Sequence, residues 1–135
     1  MRQRRLVDTN IIVRHLVSDH EKHAKIADDL FAACDRGEIT LVILPVVLAE
    51  CLYVLKSFYQ HGRADVARVL SVLIESPGIE LSDLTVHIDA LGRYAKSKLH
   101  YVDCVIAAHA VAEKIPVATF DADFKKFTDV RVEID

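Results

Sequence analysis

The sequence predicts an α/β domain in which a parallel sheet of four or five strands lies between layers of helices, and three observations predict it. Short apolar runs bounded by charges or turn formers alternate with stretches of helical period along the chain. The 135 residues are the size of one ordinary domain, expected here over 1–135, and are enough to bury a sizeable core. The composition, 52% hydrophobic and 27% charged with four Gly and three Pro, is globular and has no linker-like or disordered tract. Strands separated by helices point to parallel pairing.

The first strand is expected near residues 4–7, inside "RRLVDTNIIVRHL", where an apolar run ends on Asp8 and apolar residues resume three positions later. Asp8, Thr9 and Asn10 are all residue types that cap helices, so a helix is expected to start there. A second helix is expected within "HEKHAKIADDLFAACDRG", which sets Ala24, Ala27, Leu30, Phe31 and Cys34 on one face and ends on Gly37. A strand is expected near 39–43. "PVVLAECLYVLKSFYQHG" starts on Pro45 and stops at Gly62, both in expected helix positions. "RADVARVLSVLIESPG" is the next helix, and a weaker strand is expected near 78–81. "SDLTVHIDALGRYAKSKL" and "DCVIAAHAVAEK" are helical, and strands are expected at 117–119 and 130–134. No internal repeat or low-complexity stretch is visible.

Charge and cysteine usage narrow the function classes. A net charge of −3 with a pI near 6.1 argues against a broad basic surface that wraps nucleic acid, and leaves room for a local basic groove. No run lacks charge for the roughly 18 residues of a membrane span. The apolar segment behind the basic start "MRQRRLVDTN" is too short for a secretory signal, so a cytoplasmic protein is expected. Three cysteines, Cys34, Cys51 and Cys104, lie far apart in apolar surroundings and are expected to be buried thiols.

The acids are the chemical signal. In such sheets ligands sit beyond the carboxyl ends of the strands, where Asp8 follows the first strand and Asp121 follows "VATF". From Ile39 to Leu55 the only charged side chain is Glu50, inside "LPVVLAECLYVL". Burying a lone carboxylate there would cost several kcal/mol unless it were paired or bound to a cation. From Tyr101 to Ala112 the only acid is Asp103, and "VATFDADF" adds Asp121 and Asp123. Taken singly, Asp8 and Asp103 are as well explained as helix caps, and Asp121 and Asp123 as turn residues. Glu50 has no cation within one helical turn; Lys56 is six residues on. Carboxylates that converge repel each other, and a hard divalent cation such as Mg²⁺ or Mn²⁺ relieves the repulsion. Magnesium typically joins one or two carboxylates to substrate phosphate oxygens, so an open acidic pocket points to phosphodiester hydrolysis.

The ordered set "VDTNIIVRHL", "LAECLYVL", "YVDCVIAAHA" and "ATFDADF" resembles a PIN-domain ribonuclease, in particular the VapC-type toxins of bacterial and archaeal toxin-antitoxin modules. The resemblance covers nearly the whole chain, with "SDHEKHAKIADDLF" and "SPGIE" in their expected places. It implies a three-layer α/β/α PIN-like domain and a Mg²⁺-dependent endoribonuclease for single-stranded or looped RNA. It also implies a homodimer inhibited by a cognate antitoxin. Residue by residue, Asp8 and Asp103 match the family's principal metal ligands, Glu50 the acid of the second motif, and Asp121 the acid after the fourth strand. Asp123 ranks below Asp121, as a supporting residue beside Thr9, Asn10 and Thr119. Cys104 stands where a small residue such as Ala is common.

Other candidates weigh less. His20 and His23 have helical spacing but sit at a solvated helix start, and His109 lies in an apolar helix as a core or interface residue. No nucleophilic triad and no Gly-rich phosphate loop is present. Arg14, Lys96 and Lys98 are candidates for an RNA path, with Arg93, Lys125 and Lys126 behind them. The alternatives are an RNA-processing nuclease of the same fold without an antitoxin, a non-catalytic metal-binding scaffold, and a phosphoacceptor signalling module. The last needs an acidic pair after the first strand, where only Asp8 stands, and Asp83 is too loosely placed to serve as its phosphoacceptor.

Overall fold

The computed structural model describes residues 2–58 and 60–133. They divide into two compact units, Met1–Ser82 and Asp83–Asp135.

The first unit holds a parallel three-stranded sheet, β1 (Gln3–Leu6), β2 (Ile39–Val42) and β3 (Ile79–Glu80), in the order β1-β2-β3. Helices α1 (Thr9–Val17) and α2 (Glu21–Asp35) connect β1 to β2, and α3 (Pro45–Ser57) and α4 (Arg63–Ile74) connect β2 to β3. The central strand alternates in burial, with Ile39 and Leu41 inside. The edge strand β1 is exposed along its length and carries Arg4 and Arg5, charges that discourage pairing with another chain. Arg4 reaches over β2 to Glu80 of β3, donating at 2.7 and 3.0 Å, and this holds the Glu80 carboxyl below its ordinary range.

The helices follow their apolar periods. Helix α2 buries Ala24, Ala27, Phe31 and Cys34, while Leu30 of the expected face is half-buried. Pro45 opens α3 as expected, but that helix ends at Ser57, and Gly62 serves as the N-cap of α4. Gly78 closes the loop before β3 with φ +82°, a left-handed conformation beside Cys34.

The second unit consists of α5 (Leu84–Lys96), α6 (Tyr101–Glu113) and a 3₁₀ turn, η1 (Ala122–Lys126). Helix α5 packs on α6. Ala107, Ala110, Val117 and Phe124 form a small core, against which Phe127, Val130 and Val132 pack. Arg93, its side chain 11% exposed, donates to both Asp89 and Asp129. Its guanidinium lies 5.0 Å from the centroid of the Phe127 ring. His87 is buried and shares a 2.8 Å hydrogen bond with the Tyr101 hydroxyl. Burial, reinforced by His109 and opposed by Asp83, holds the His87 ring below its ordinary pKa.

The sheet has three strands among the described residues, not four or five. The segments expected as strands at 117–119 and 130–134 make one isolated parallel bridge, Val117 with Val132, and residue 134 lies outside the described residues. Both bridge hydrogen bonds use Val117, whose N–H donates to Arg131 and whose carbonyl accepts from Glu133. Beyond it the Thr119 hydroxyl oxygen accepts from the Asp121 N–H at 3.0 Å, turning the backbone before a ladder can extend. All three cysteines are buried, as expected, and none is in a disulfide among the described residues. No helix among the described residues is long and apolar enough to cross a membrane.

Candidate functional site

Asp8 stands just past β1, in extended backbone at the N-cap of α1. Its Oδ1 accepts from the Ile11 N–H at 3.1 Å, so the cap expected of its residue type is formed. The carboxylate is otherwise exposed, and among the described residues Oδ2 has no hydrogen-bond donor. Thr9, the first residue of α1, is buried, and Asn10 after it is exposed.

Glu50 corrects an expectation. Its apolar neighbours in the sequence suggested burial, but the side chain is exposed. Helix α3 turns Leu48, Cys51, Leu52 and Leu55 inward, which leaves Val46, Glu50, Tyr53 and Ser57 as an outward stripe. Val46 is 70% exposed and Tyr53 63% exposed. Glu50 therefore carries no burial cost, and among the described residues it has no cation or hydrogen-bond partner. Helices α1 and α3 pack together. The thiol of the buried Cys51, next to Glu50 in α3, is pushed up to about 12 by burial, with the negative charges of Glu50 and Asp8 adding to it, so it is not a thiolate at neutral pH.

In the second unit Asp103 lies in the first turn of α6, half-buried, where the helix dipole favours a carboxylate. It is not the cap, since that position is His100, and among the described residues it has no ion-pair partner. Asp121 is exposed and caps η1, its Oδ1 accepting from the Asp123 N–H at 2.9 Å. Thr119 bonds the backbone of Asp121 and not its carboxylate. Asp123 is paired with Lys126 at 3.3 Å.

The basic candidates differ. Arg14 is tied to Asp19, whereas Lys96 and Lys98 are exposed. Lys96, Lys126 and Arg93 line a groove of about 410 Å³ in the second unit with Ser97 and Phe127. His20 and His23 stack at 4.0 Å, and His20 caps α2 by accepting from the His23 N–H. His109 faces Glu113 at 3.5 Å. The His87–Tyr101 pair escaped the sequence analysis, because nothing in "VHIDA" marks His87 as the inward residue of its turn.

The donor chemistry of Asp8, Glu50, Asp103 and Asp121 fits a hard divalent cation, since all are carboxylates and Glu50 and Asp103 have no cation partner among the described residues. Among the described residues, no group of three or more His, Cys, Asp or Glu side chains is gathered closely enough to hold an ion.

No curated protein matches the sequence. A family model described as the PIN domain matches residues 5–130, through β1 at one end and the Val117–Val132 region at the other. PIN domains are typically nucleases that depend on divalent metal ions and act on RNA, and the chain belongs to this family.

Proposed function

We propose that residues 1–135 act as one PIN domain, a Mg²⁺- or Mn²⁺-dependent endoribonuclease that hydrolyses single-stranded or looped RNA. Asp8, Asp103 and Asp121 are its metal ligands, and Glu50 is the fourth catalytic carboxylate. The observation that supports this most is Glu50, an exposed acid without a partner among the described residues, on a helix whose other residues except Lys56 are uncharged.

The ion, when bound, lowers the pKa of a water and offsets charge on the phosphate oxygens. Asp8 has Oδ1 engaged in the cap and Oδ2 available to a ligand, so its orientation is fixed before any ion arrives. Glu50, being solvated, can accept a proton from an attacking water at either carboxylate oxygen. Asp103 is oriented by the start of α6, and Asp121 by its bond to the Asp123 N–H. Thr9, Asn10, Thr119 and Asp123 support these acids, and Arg14, Lys96 and Lys98 are the candidates for contact with RNA phosphates.

The biological role we favour is a VapC-type toxin, cytoplasmic and homodimeric, held in check by a cognate antitoxin. The support is the order of the four acid-bearing motifs. Purified protein is expected to cut single-stranded RNA with Mg²⁺ or Mn²⁺ and to stop in EDTA. Growth arrest on expression, relieved by a small neighbouring gene product, separates the toxin from an RNA-processing nuclease.

A further inference from the structure

Phe120 is 96% exposed, more than any other large apolar side chain described. Its neighbours show that this is not a matter of a loose loop. The Thr119 hydroxyl oxygen accepts from the Asp121 N–H at 3.0 Å across Phe120, and Asp121 Oδ1 accepts from the Asp123 N–H at 2.9 Å, so the backbone that carries the exposed ring is held from Thr119 to Asp123. The two later phenylalanines of the same segment behave differently. Phe124 is buried in the small core, and Phe127 packs against that core with Arg93 over its ring. The segment "FDADFKKF" thus buries the aromatics that build the fold and presents one that does not. Lys125 is exposed on the same short segment, and Asp121, a proposed metal ligand, is the next residue after Phe120.

We propose that Phe120 is a stacking platform for one unpaired nucleobase of the RNA, beside the phosphate that Asp121 helps to address. This rests on the proposed ribonuclease function and names how its substrate is gripped. An exposed aromatic ring offers every base a π-face, so the contact selects single-stranded over paired RNA without selecting sequence. Lys125 supplies a phosphate contact close by. A double helix keeps its bases stacked on each other and has none to give the ring.

The chain contains no tryptophan, so Phe120→Trp creates a unique fluorophore at the site. The probe is a mixed-sequence single-stranded RNA oligonucleotide, compared with the same strand carrying abasic positions and with its duplex, with Mg²⁺ and in EDTA. The expected result is quenching by the single strand, with little by the abasic strand or the duplex. Phe120→Ala is expected to weaken binding of the same single strand about 10-fold, and Phe120→Tyr to restore it. Unquenched Phe120→Trp, in a background where the wild type binds and cuts this RNA, overturns the stacking role and leaves the nuclease function standing. A wild type that neither binds nor cuts it overturns both. An emission shift that follows protein concentration, with no response to RNA, identifies Phe120 as a protein contact and also overturns the proposal.

Discussion

Substituting Asp8 separates its structural work from its chemical work. In the structure Oδ1 accepts from the Ile11 N–H at 3.1 Å, one of the orphan donors at the start of α1. Asp8→Ala removes that acceptor and is expected to cost about 1 kcal/mol, the usual scale for a lost N-cap. For a domain of this size that corresponds to a fall in Tm of about 3–4 °C. Asp8→Asn and Asp8→Ser retain a capping oxygen and should melt within about 1 °C of the wild type. Cleavage should not follow this order. If Asp8 is a metal ligand, Asn, Ser and Ala should all lower RNA cleavage by about 100-fold or more, the scale of a lost electrostatic contact to developing charge. Added Mg²⁺ should raise the Tm of the wild type by mass action and raise that of Asp8→Asn less. Melting curves beside single-turnover cleavage decide the matter. An Asp8→Asn protein that cuts at the wild-type rate with an undiminished Mg²⁺ shift would show that Asp8 is a cap and nothing more.

Two further predictions concern the fold. Gly78→Ala should destabilise the first unit by about 2 kcal/mol or more, because its Cβ would meet the Cys34 carbonyl oxygen and Sγ at 2.7 Å, with φ at +82°; an unchanged denaturation midpoint would refute this. The His87 ring is held below its ordinary pKa chiefly by burial, so the unfolded chain binds a proton there more readily than the folded one. Stability from this group is complete above about pH 6.5 and is lost as pH falls from there through the folded value. His87→Gln should flatten the Tm profile between about pH 7 and 5, and an unaltered slope would count against it.

Much of the fold was legible because helix periods and turn residues are local signals. Helices α2 to α5 fall within the segments whose apolar spacing marks them, α6 starts two residues before its segment, and β2 lies where a run of β-formers follows Gly37. The last strands were overcounted because "VATF" has strand composition, while a single hydroxyl contact from Thr119 turns the chain first. At the site, residue type foretold the Asp8 cap, but apolar neighbours along the sequence misplaced Glu50. A helix that buries one face can be almost wholly apolar and still turn its one acid outward. The exposure of Phe120 was not visible either, since three phenylalanines in eight residues look alike until the fold distributes them between core and surface.

The central claim is that these carboxylates hydrolyse RNA with a divalent ion, and Glu50 tests it with the least structural confusion, being exposed and making no hydrogen bond among the described residues. The decisive measurement is the cleavage rate of a single-stranded RNA by wild type and Glu50→Gln, in Mg²⁺ and in EDTA, with Tm recorded for both proteins. The account predicts cleavage by the wild type in Mg²⁺ alone, a loss of about 100-fold in Glu50→Gln, and the same Tm for both. Cleavage that persists in EDTA, or a Glu50→Gln protein as active as the wild type, would contradict it.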